Sequence, residues 1–207
     1  AEELRGEPRE RKFAELKKAL EAKRPSLYFT ALLDAGLLEE EFPWIYRLIG
    51  KTQPPDKHPE GDAFAHSMLV LDYVSAKTTR PEVRFAALMH DIGKGETPEE
   101  MLPHHYEHEK RGVEIIKEIA KALRLPREWK RCAEFAAREH MRPKRLKTPA
   151  KMRDIIRSLE KEPIGAEGFA AIVEADNQGE CPKFLLEYEK NLEILTQAAK
   201  TKIPENL

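Results

Sequence analysis

The chain has 207 residues, enough for one compact domain with an appendage or for two small domains. Charged residues make up 35% and aromatic residues 7%, with a net charge of −1, which excludes fibrous and disordered classes and favours a globular helical protein. Because no run of apolar residues approaches the roughly 18 that a membrane span needs, and the N-terminus has no apolar signal-peptide core, we expect a cytoplasmic protein without membrane contact.

Apolar residues at helical spacing predict a first helix that carries Phe13, Leu16 and Leu20. Ser26 is a candidate N-cap for a second helix, because its hydroxyl can accept from a free backbone N–H of the first turn. Gly36 is placed to end that helix, since glycine tolerates the left-handed conformation common at this position. A short turn or helix follows, up to about residue 50.

The segment "KTQPPDKHPEGD", residues 51–62, is rich in proline, glycine and aspartate and predicts a loop. We interpret it as the boundary between an N-terminal helical arm, residues 1–52, and a main domain, residues 53–200. The last residues, 201–207, are expected to form a frayed tail.

The main domain shows helical spacing throughout and no alternating strand pattern, so the predicted fold class is all-α, a helical bundle with an N-terminal arm. The predicted helices lie at about 62–77, 81–92, 106–123, 127–140, 149–159, 168–179 and 184–200.

Histidines and aspartates recur in or beside apolar helical segments of the main domain, at His66, His90, Asp91, His140 and Asp176. A single histidine in such a place is usually a hydrogen-bonded core residue. A buried carboxylate is harder to explain, because its burial is costly unless it is paired or binds a cation. The recurrence over several helices therefore favours a divalent metal site, which imidazole and carboxylate groups converging from separate helices can form.

The pair His90–Asp91 ends an apolar run in "AALMHDIGKG". Adjacent helical residues point about 100° apart, so both side chains can reach one cation only near the helix end. Gly93 and Gly95 allow the chain to leave helical geometry there. Lys94 would place a positive charge close to the same site, where it could stabilise a phosphate, although it could equally be an exposed loop lysine.

A second group of histidines, His104, His105 and His108, follows in "LPHHYEHEKRG". His105 and His108 share a face if this segment is helical, and either could reach a second metal ion. Together with His140 they would complete a two-metal site for phosphoryl chemistry, whereas the alternative is a polar surface loop.

The segment 121–157 is strongly basic, with thirteen Lys and Arg against four Asp and Glu, so its local charge is +9. Such a segment attracts phosphates. It is either a surface for a tRNA-like backbone or a set of solvated helix faces.

These residues carry a family resemblance. His66, the pair His90–Asp91 and Asp176 resemble the pattern of the HD superfamily of metal-dependent phosphohydrolases. The strings "HPEGDAFAHSMLVLDY", "VRFAALMHDIGKGETP", "PHHYEHEKRGVEI", "AAREHM" and "VEADNQG" narrow it further, because in order and spacing they are similar to the HD domain of bacterial tRNA nucleotidyltransferases, the CCA-adding enzymes. The N-terminal "RERKFAELKKAL" and "LLDAGLLEEEFPWI" resemble the connecting helices of that family.

The resemblance implies an all-α bundle around one or two divalent metal ions, which could be Ni, Co, Mn, Mg, Fe or Zn. It implies that the metal ligands are His66, His90, Asp91, His108, His140 and Asp176, with Asp91 able to bridge two ions.

The same resemblance suggests catalytic roles for Asp91, Lys94 and His105, and phosphate binding by Lys94, Arg142 and Lys144. The implied substrates are nucleotide phosphomonoesters, 2′,3′-cyclic phosphodiesters or the 3′-end phosphates of RNA and tRNA.

One departure from the CCA-adding pattern stands out: no Asp-x-Asp pair occurs in the 207 residues, so this chain alone is not expected to add nucleotides. The chain, which begins at Ala1, is then either a stand-alone protein or part of a longer enzyme. The leading hypothesis is a phosphohydrolase. The alternatives are a non-catalytic tRNA-binding or structural module, and a nucleotide-sensing regulator, which the intact ligand set makes less attractive.

Overall fold

The computed structural model describes residues 9–56, 58–143 and 149–177. Ten α-helices occur in these ranges: α1 Arg9–Glu21, α2 Ser26–Asp34, α3 Leu38–Glu41, α4 Pro43–Tyr46, α5 Ala63–Lys77, α6 Pro81–Met89, α7 His108–Ala122, α8 Arg127–Glu139, α9 Pro149–Glu160 and α10 Gly165–Asp176. Two 3₁₀ turns, Ile92–Glu96 and Glu99–Met101, join α6 to α7. Over the described residues the only β-type pairing is an isolated bridge between Thr52 and Asp62, so the all-α prediction is confirmed.

The start of α2 differs from the prediction, because Ser26 is a helical residue and not the N-cap. Its hydroxyl donates to Oδ2 of Asp72 on α5 at 2.7 Å, and its backbone N–H donates to Oδ1 of the same carboxylate at 3.1 Å. The carboxylate of Asp72, 46 positions further along the chain, thus accepts two hydrogen bonds from the first residue of α2. At the other end Gly36 has φ +69°, and the N–H of Leu37 donates to the carbonyl of Leu32, as predicted for a glycine-terminated helix.

Two of the main-domain helices are shorter than predicted. The helix α6 ends at Met89, and His90 and Asp91 already lie in its exit before the 3₁₀ turn. The helix α7 begins at His108 instead of residue 106, because Glu107 adopts a left-handed conformation with φ +59°. The predicted helix at 184–200 and the tail at 201–207 lie outside the described residues.

In the part of the chain that the structure describes, the core consists of two hydrophobic clusters, to both of which α5, α6 and α8 contribute. The arm-side cluster joins the arm to α5–α8 and includes Leu16, Leu20, Phe29, Phe42, Leu88, Ile116 and Trp129. The α10-side cluster packs α5, α6 and α8 against α9 and α10 and includes Val74, Val83, Phe135, Ile155, Phe169 and Ile172. Helices α1–α4 therefore share one cluster with the helices of the main domain.

The buried guanidinium of Arg84 fastens the arm to this core. It donates to the carbonyls of Leu20 at 2.6 Å and Ala22 at 3.0 Å, at the end of α1. It also donates to the carbonyls of Ser75 and Thr78, at the end of α5, each at 2.8 Å. Because the last carbonyls of a helix have no intrahelical partner, one arginine satisfies two helix ends at once.

Candidate metal centre

All six predicted metal ligands lie at or near helix ends and converge on one buried region. Their residues are between 0% and 7% exposed. They are distributed as follows: His66 in α5, His90 and Asp91 after α6, His108 at the start of α7, His140 after α8 and Asp176 at the end of α10.

Four of the ligands form a first group, made of His66, His90, Asp91 and Asp176, whose potential ligand atoms lie within 4.8 Å of one another. Nε2 of His66 is 3.2 Å from Oδ1 of Asp176, and Nε2 of His90 is 3.3 Å from Oδ2 of Asp91. The structure thus brings together residues from three helices that are up to 110 positions apart in the chain.

Asp91, His108 and His140 form a second group of the same kind. Oδ1 of Asp91 is 3.3 Å from Nε2 of His108 and 3.4 Å from Nε2 of His140, and the two Nε2 atoms are 3.3 Å apart. Asp91 belongs to both groups. Its Oδ2 faces the first group and its Oδ1 faces the second. This is the geometry that a carboxylate needs to bridge two ions.

The ring nitrogens of these histidines show which atom is available as a ligand. In three of them Nδ1 faces backbone carbonyls: His90 with Ala87 at 2.7 Å, His108 with His105 at 2.7 Å, and His140 with Ala136 and Ala137, both at 3.1 Å. A carbonyl only accepts, so Nδ1 carries the proton in each ring. The lone pair of the neutral ring then resides on Nε2, which faces the two groups.

When the imidazoles are neutral, several acceptors therefore converge around Asp91. Within the described residues, Nε2 of His90 and Oδ1 of Asp91 are buried and make no hydrogen bond. Two Nε2 lone pairs also face each other across the 3.3 Å between His108 and His140. A cation satisfies all of them, and a set of imidazoles and carboxylates suits a divalent ion such as Mn, Fe, Co, Ni or Zn. The residues fit one or two such ions.

The charges of the region favour a cation as well. Burial alone would raise the pKa of Asp91, but Lys94 and the surrounding histidines outweigh it and hold that pKa well below its usual value. Burial would lower the pKa of His90, yet Asp91 and Asp176 raise it to about 10. At His140 burial prevails and lowers the pKa. The two carboxylates of the first group therefore favour a bound cation more strongly there than at the second group, which holds one.

Lys94 lies in the 3₁₀ turn and is buried beside the first group. Its ammonium is 2.6 Å from Oδ2 of Asp91 and donates to Oε1 of Gln53 at 2.5 Å. The turn runs so close to α7 that a Cβ on Gly93 would overlap the carbonyl oxygen of His108 and lie 2.5 Å from the backbone nitrogen of Gly112. This close approach brings Asp91 and His108 together.

His105, a predicted catalytic residue, lies in neither group. Its Nε2 donates to the carbonyl of Thr52 at 3.0 Å, and its Nδ1 accepts from the hydroxyl of Thr97 at 2.8 Å. Arg111 in turn donates to that hydroxyl at 3.0 Å. Burial, together with the charge of Lys94, lowers the pKa of His105 to about 4. His105 is therefore a neutral residue whose hydrogen bonds join the loop of Thr52 to that of Thr97. Its catalytic role stays a prediction without support from the structure.

The predicted phosphate-binding residue Arg142 lies two positions beyond His140 and pairs with Glu139 at 3.1 Å. Lys144 lies outside the described residues. Elsewhere in the basic segment 121–157, Arg131 and Arg138 are also within 3.2 Å of glutamates. The local charge of +9 already counts Glu139, so among these partners only Glu162, outside the segment, offsets part of it.

Three residues around the site were not singled out from the sequence: Gln53, His58 and Glu60. All three lie in the segment 51–62, which was interpreted as a boundary loop, with residues 58–62 also part of the family resemblance but given no role. Oε1 of Glu60 accepts from Nδ1 of His66 at 2.6 Å and from Nδ1 of His58 at 3.0 Å. The one available signal was the occurrence of a histidine and a glutamate a few positions before a helix that carries a ligand.

Comparison with known proteins agrees with this geometry. The family model described as the HD domain matches residues 63–176, which contain all six ligands. The chain belongs to the HD domain family. This superfamily comprises metal-dependent phosphohydrolases. A second model, described as the probable RNA- and SrmB-binding site of polymerase A, matches residues 1–48.

Curated relatives carry the name multifunctional CCA protein, which confirms the resemblance to CCA-adding enzymes. The protein of Mannheimia succiniciproducens is 44% identical over 136 residues, covering 63% of this chain and 32% of the relative. Those of Verminephrobacter eiseniae and Methylococcus capsulatus are both 38% identical, over 78% and 82% of this chain and over 43% and 41% of the relatives. The chain thus spans less than half the length of these relatives. No helix in the described ranges is both long and apolar enough to cross a membrane.

Proposed function

We propose that the chain is a metal-dependent phosphohydrolase that acts on nucleotide phosphomonoesters or 2′,3′-cyclic phosphodiesters, including the 3′-end phosphates of RNA. The observation that carries the proposal is the position of Asp91, whose two oxygens face two separate groups of potential ligands. A structural site needs only one closed set of ligands, whereas two adjacent positions suit phosphoryl transfer.

The ligands in this proposal are His66, His90, Asp91 and Asp176 for one ion, and Asp91, His108 and His140 for a second. When bound, divalent ions lower the pKa of a water molecule and polarise a phosphoryl oxygen. The protein contributes the burial of the site and the fixed orientation of its imidazoles, which hold their Nε2 lone pairs toward the reaction region.

Lys94 is the second contribution of the protein. An ammonium has three N–H bonds, and two of them are directed at Asp91 and Gln53. The third is available to a phosphoryl oxygen on which negative charge develops. Arg142 lies further out, beyond His140, and would neutralise the phosphate from that side once it separates from Glu139.

The test is hydrolysis of an aryl phosphate, an aryl phosphodiester and 2′,3′-cyclic nucleotides with added Ni²⁺, Co²⁺, Mn²⁺ or Mg²⁺. Asp91→Ala should reduce turnover to background, because it removes the ligand that both groups share. His104→Ala is the matched control, since it removes an exposed histidine from the same loop as His108 and should keep full activity. Equal turnover in the wild type and Asp91→Ala would refute the proposal.

Lys94 can be tested separately. Lys94→Met should lower kcat about 100-fold or more if the ammonium stabilises developing charge, with little change in metal content. Lys51→Met is its control, because Lys51 is a nearby ammonium that donates to the carbonyl of Thr97 and not to a ligand. A similar kcat in both variants would assign Lys94 a structural role.

A second candidate function is tRNA binding without catalysis. The similarity of residues 1–48 to a probable RNA-binding site and the names of the relatives favour it. If the basic segment contacts a phosphate backbone, tRNA affinity should fall steeply as salt concentration rises. Affinity that does not change between low and physiological salt would exclude an electrostatic RNA interface.

A further inference from the structure

The histidines of the metal centre are held in two different ways. His90, His108 and His140 each direct Nδ1 to backbone carbonyls. At His66 the partner is a side chain, because Nδ1 lies 2.6 Å from Oε1 of Glu60. Among these four histidines, His66 is therefore the one whose orientation a single substitution can change without altering the backbone.

For His90, His140 and His66, the position in the helix explains the difference. His90 and His140 follow α6 and α8, where the carbonyls of the last helical turn lack part of their intrahelical partners and can accept from an imidazole N–H. His66 lies in the first turn of α5, where carbonyls are already engaged. The carbonyl of Asp62 accepts from the N–H of His66 at 3.1 Å, and that of Ala63 accepts from the hydroxyl of Ser67 at 2.8 Å. For His66 the acceptor is the Glu60 carboxylate, from outside its helix.

Glu60 is itself held in place by the loop. The same oxygen that accepts from His66 accepts from Nδ1 of His58, and the two imidazole rings meet edge to face with centroids 4.6 Å apart. The N–H of Gly61 donates to the carbonyl of His58 at 3.1 Å, which closes a tight turn around Glu60. The Glu60 side chain is only 12% exposed.

We propose that Glu60 is a positioning residue that fixes His66 with the proton on Nδ1, so that its Nε2 lone pair faces Asp91 and Asp176. His58 supports Glu60 from the other side. This inference rests on the metal centre of the proposed function, but not on the reaction that the centre catalyses. Without the carboxylate, the ring of His66 can rotate or carry its proton on Nε2, and the first group loses one ligand.

The experiment measures the affinity of the metal-free full chain for Co²⁺ alone, by calorimetry and by the visible spectrum of bound Co²⁺. Glu60→Ala should weaken binding at the first group about 10- to 100-fold and change the Co²⁺ spectrum, while the second group keeps its affinity. Glu60→Gln retains one acceptor oxygen and should lose less. His58→Ala should have a smaller effect than Glu60→Ala, because it acts only through Glu60.

Asp62→Ala is the control for a merely structural effect. Asp62 lies in the same loop, and its carboxylate accepts from the N–H of Ala65 at 2.8 Å, which caps α5, and from the N–H of Gly50 at 3.0 Å. Its contact with His66 is made by the backbone carbonyl, which the substitution keeps. It should lower the unfolding temperature yet leave the Co²⁺ affinity and spectrum unchanged. The proposal is overturned if Glu60→Ala binds Co²⁺ as the wild type does, if it behaves like Asp62→Ala, or if the wild type binds no Co²⁺. Metal binding that depends on Glu60 in a chain without phosphohydrolase activity would refute only the proposed function.

Discussion

The two ligand groups depend on different halves of the core. The second group takes His108 from α7, whose apolar residues Ile115, Ile116 and Ile119 lie in the arm-side cluster. The first group takes Asp176 from α10, whose Phe169 and Ile172 lie in the α10-side cluster. Asp91, at the exit of the central helix α6, is the one ligand they share. A substitution in the arm-side cluster should therefore affect mainly the second group, and one in the α10-side cluster mainly the first. Substitution of Asp91 should affect both groups.

The largest effect is expected from Gly93→Ala, which breaks the second group. The added methyl group would overlap the backbone of His108 and Gly112, so the 3₁₀ turn and α7 must separate. We expect a loss of at least about 4 kcal/mol in the free energy of unfolding, because backbone atoms cannot yield as a side chain does. Urea unfolding measures it.

Gly112→Ala is the matched control for this change. It adds a methyl group on the other side of the same contact, where the nearest atom is Cβ of Ala137 at 3.4 Å. Its stability should stay close to that of the wild type, since alanine also favours the helix. A Gly93→Ala variant as stable as Gly112→Ala would contradict the close approach described for the turn.

Two core substitutions, one in each hydrophobic cluster, test whether the first group depends on the α10-side cluster alone. Leu20→Ala in the arm-side cluster and Ile172→Ala in the α10-side cluster both remove fully buried side chains. Each should lower the free energy of unfolding by about 3 kcal/mol. Only Ile172→Ala loosens α10, so it alone should weaken Co²⁺ binding at the first group. Equal metal affinity in the two variants would show that Asp176 is held independently of the cluster.

The smallest expected effect concerns His105, whose pKa of about 4 lies below the ordinary value of 6.5. Above pH 6.5 the ring is neutral in both the folded and unfolded chain. As the pH falls from 6.5 to 4, the unfolded chain binds a proton that the folded chain excludes, so stability is lost over this window. His105→Gln should be less sensitive to this acidification than the exposed control His104→Gln. An NMR titration that gives His105 a pKa near 6.5 would contradict the hydrogen bonds described for this half-buried ring.

The sequence predicted those features that depend on neighbours along the chain. Gly36 ends α2 as expected because a glycine-terminated helix is a local motif. Five of the six ligands stood out because they lie in or beside apolar segments, and the family resemblance added His108. Ser26 was assigned wrongly as a cap because Asp72, which serves that helix start, is brought close only by the packing of α2 on α5.

Glu60 was also missed because its role depends on packing. The loop brings its carboxylate against Nδ1 of His66 in α5, a contact that periodicity along the chain does not indicate. His105 was expected to be able to reach a second metal ion if it shared a helical face with His108, whereas the loop turns its ring toward Thr52 and Thr97. Periodicity identifies buried polar residues, but their partners across the fold determine what they do.

The most direct test of the metal centre is the anomalous diffraction of crystals of the full chain loaded with Co²⁺. We predict an anomalous peak about 2.1 Å from Nε2 of His66 and His90, and a second peak, where the second position is filled, at the same distance from Nε2 of His108 and His140. Both peaks should lie against Asp91. Cobalt bound only elsewhere on the protein, or not at all, would contradict the assignment of these residues as a metal centre.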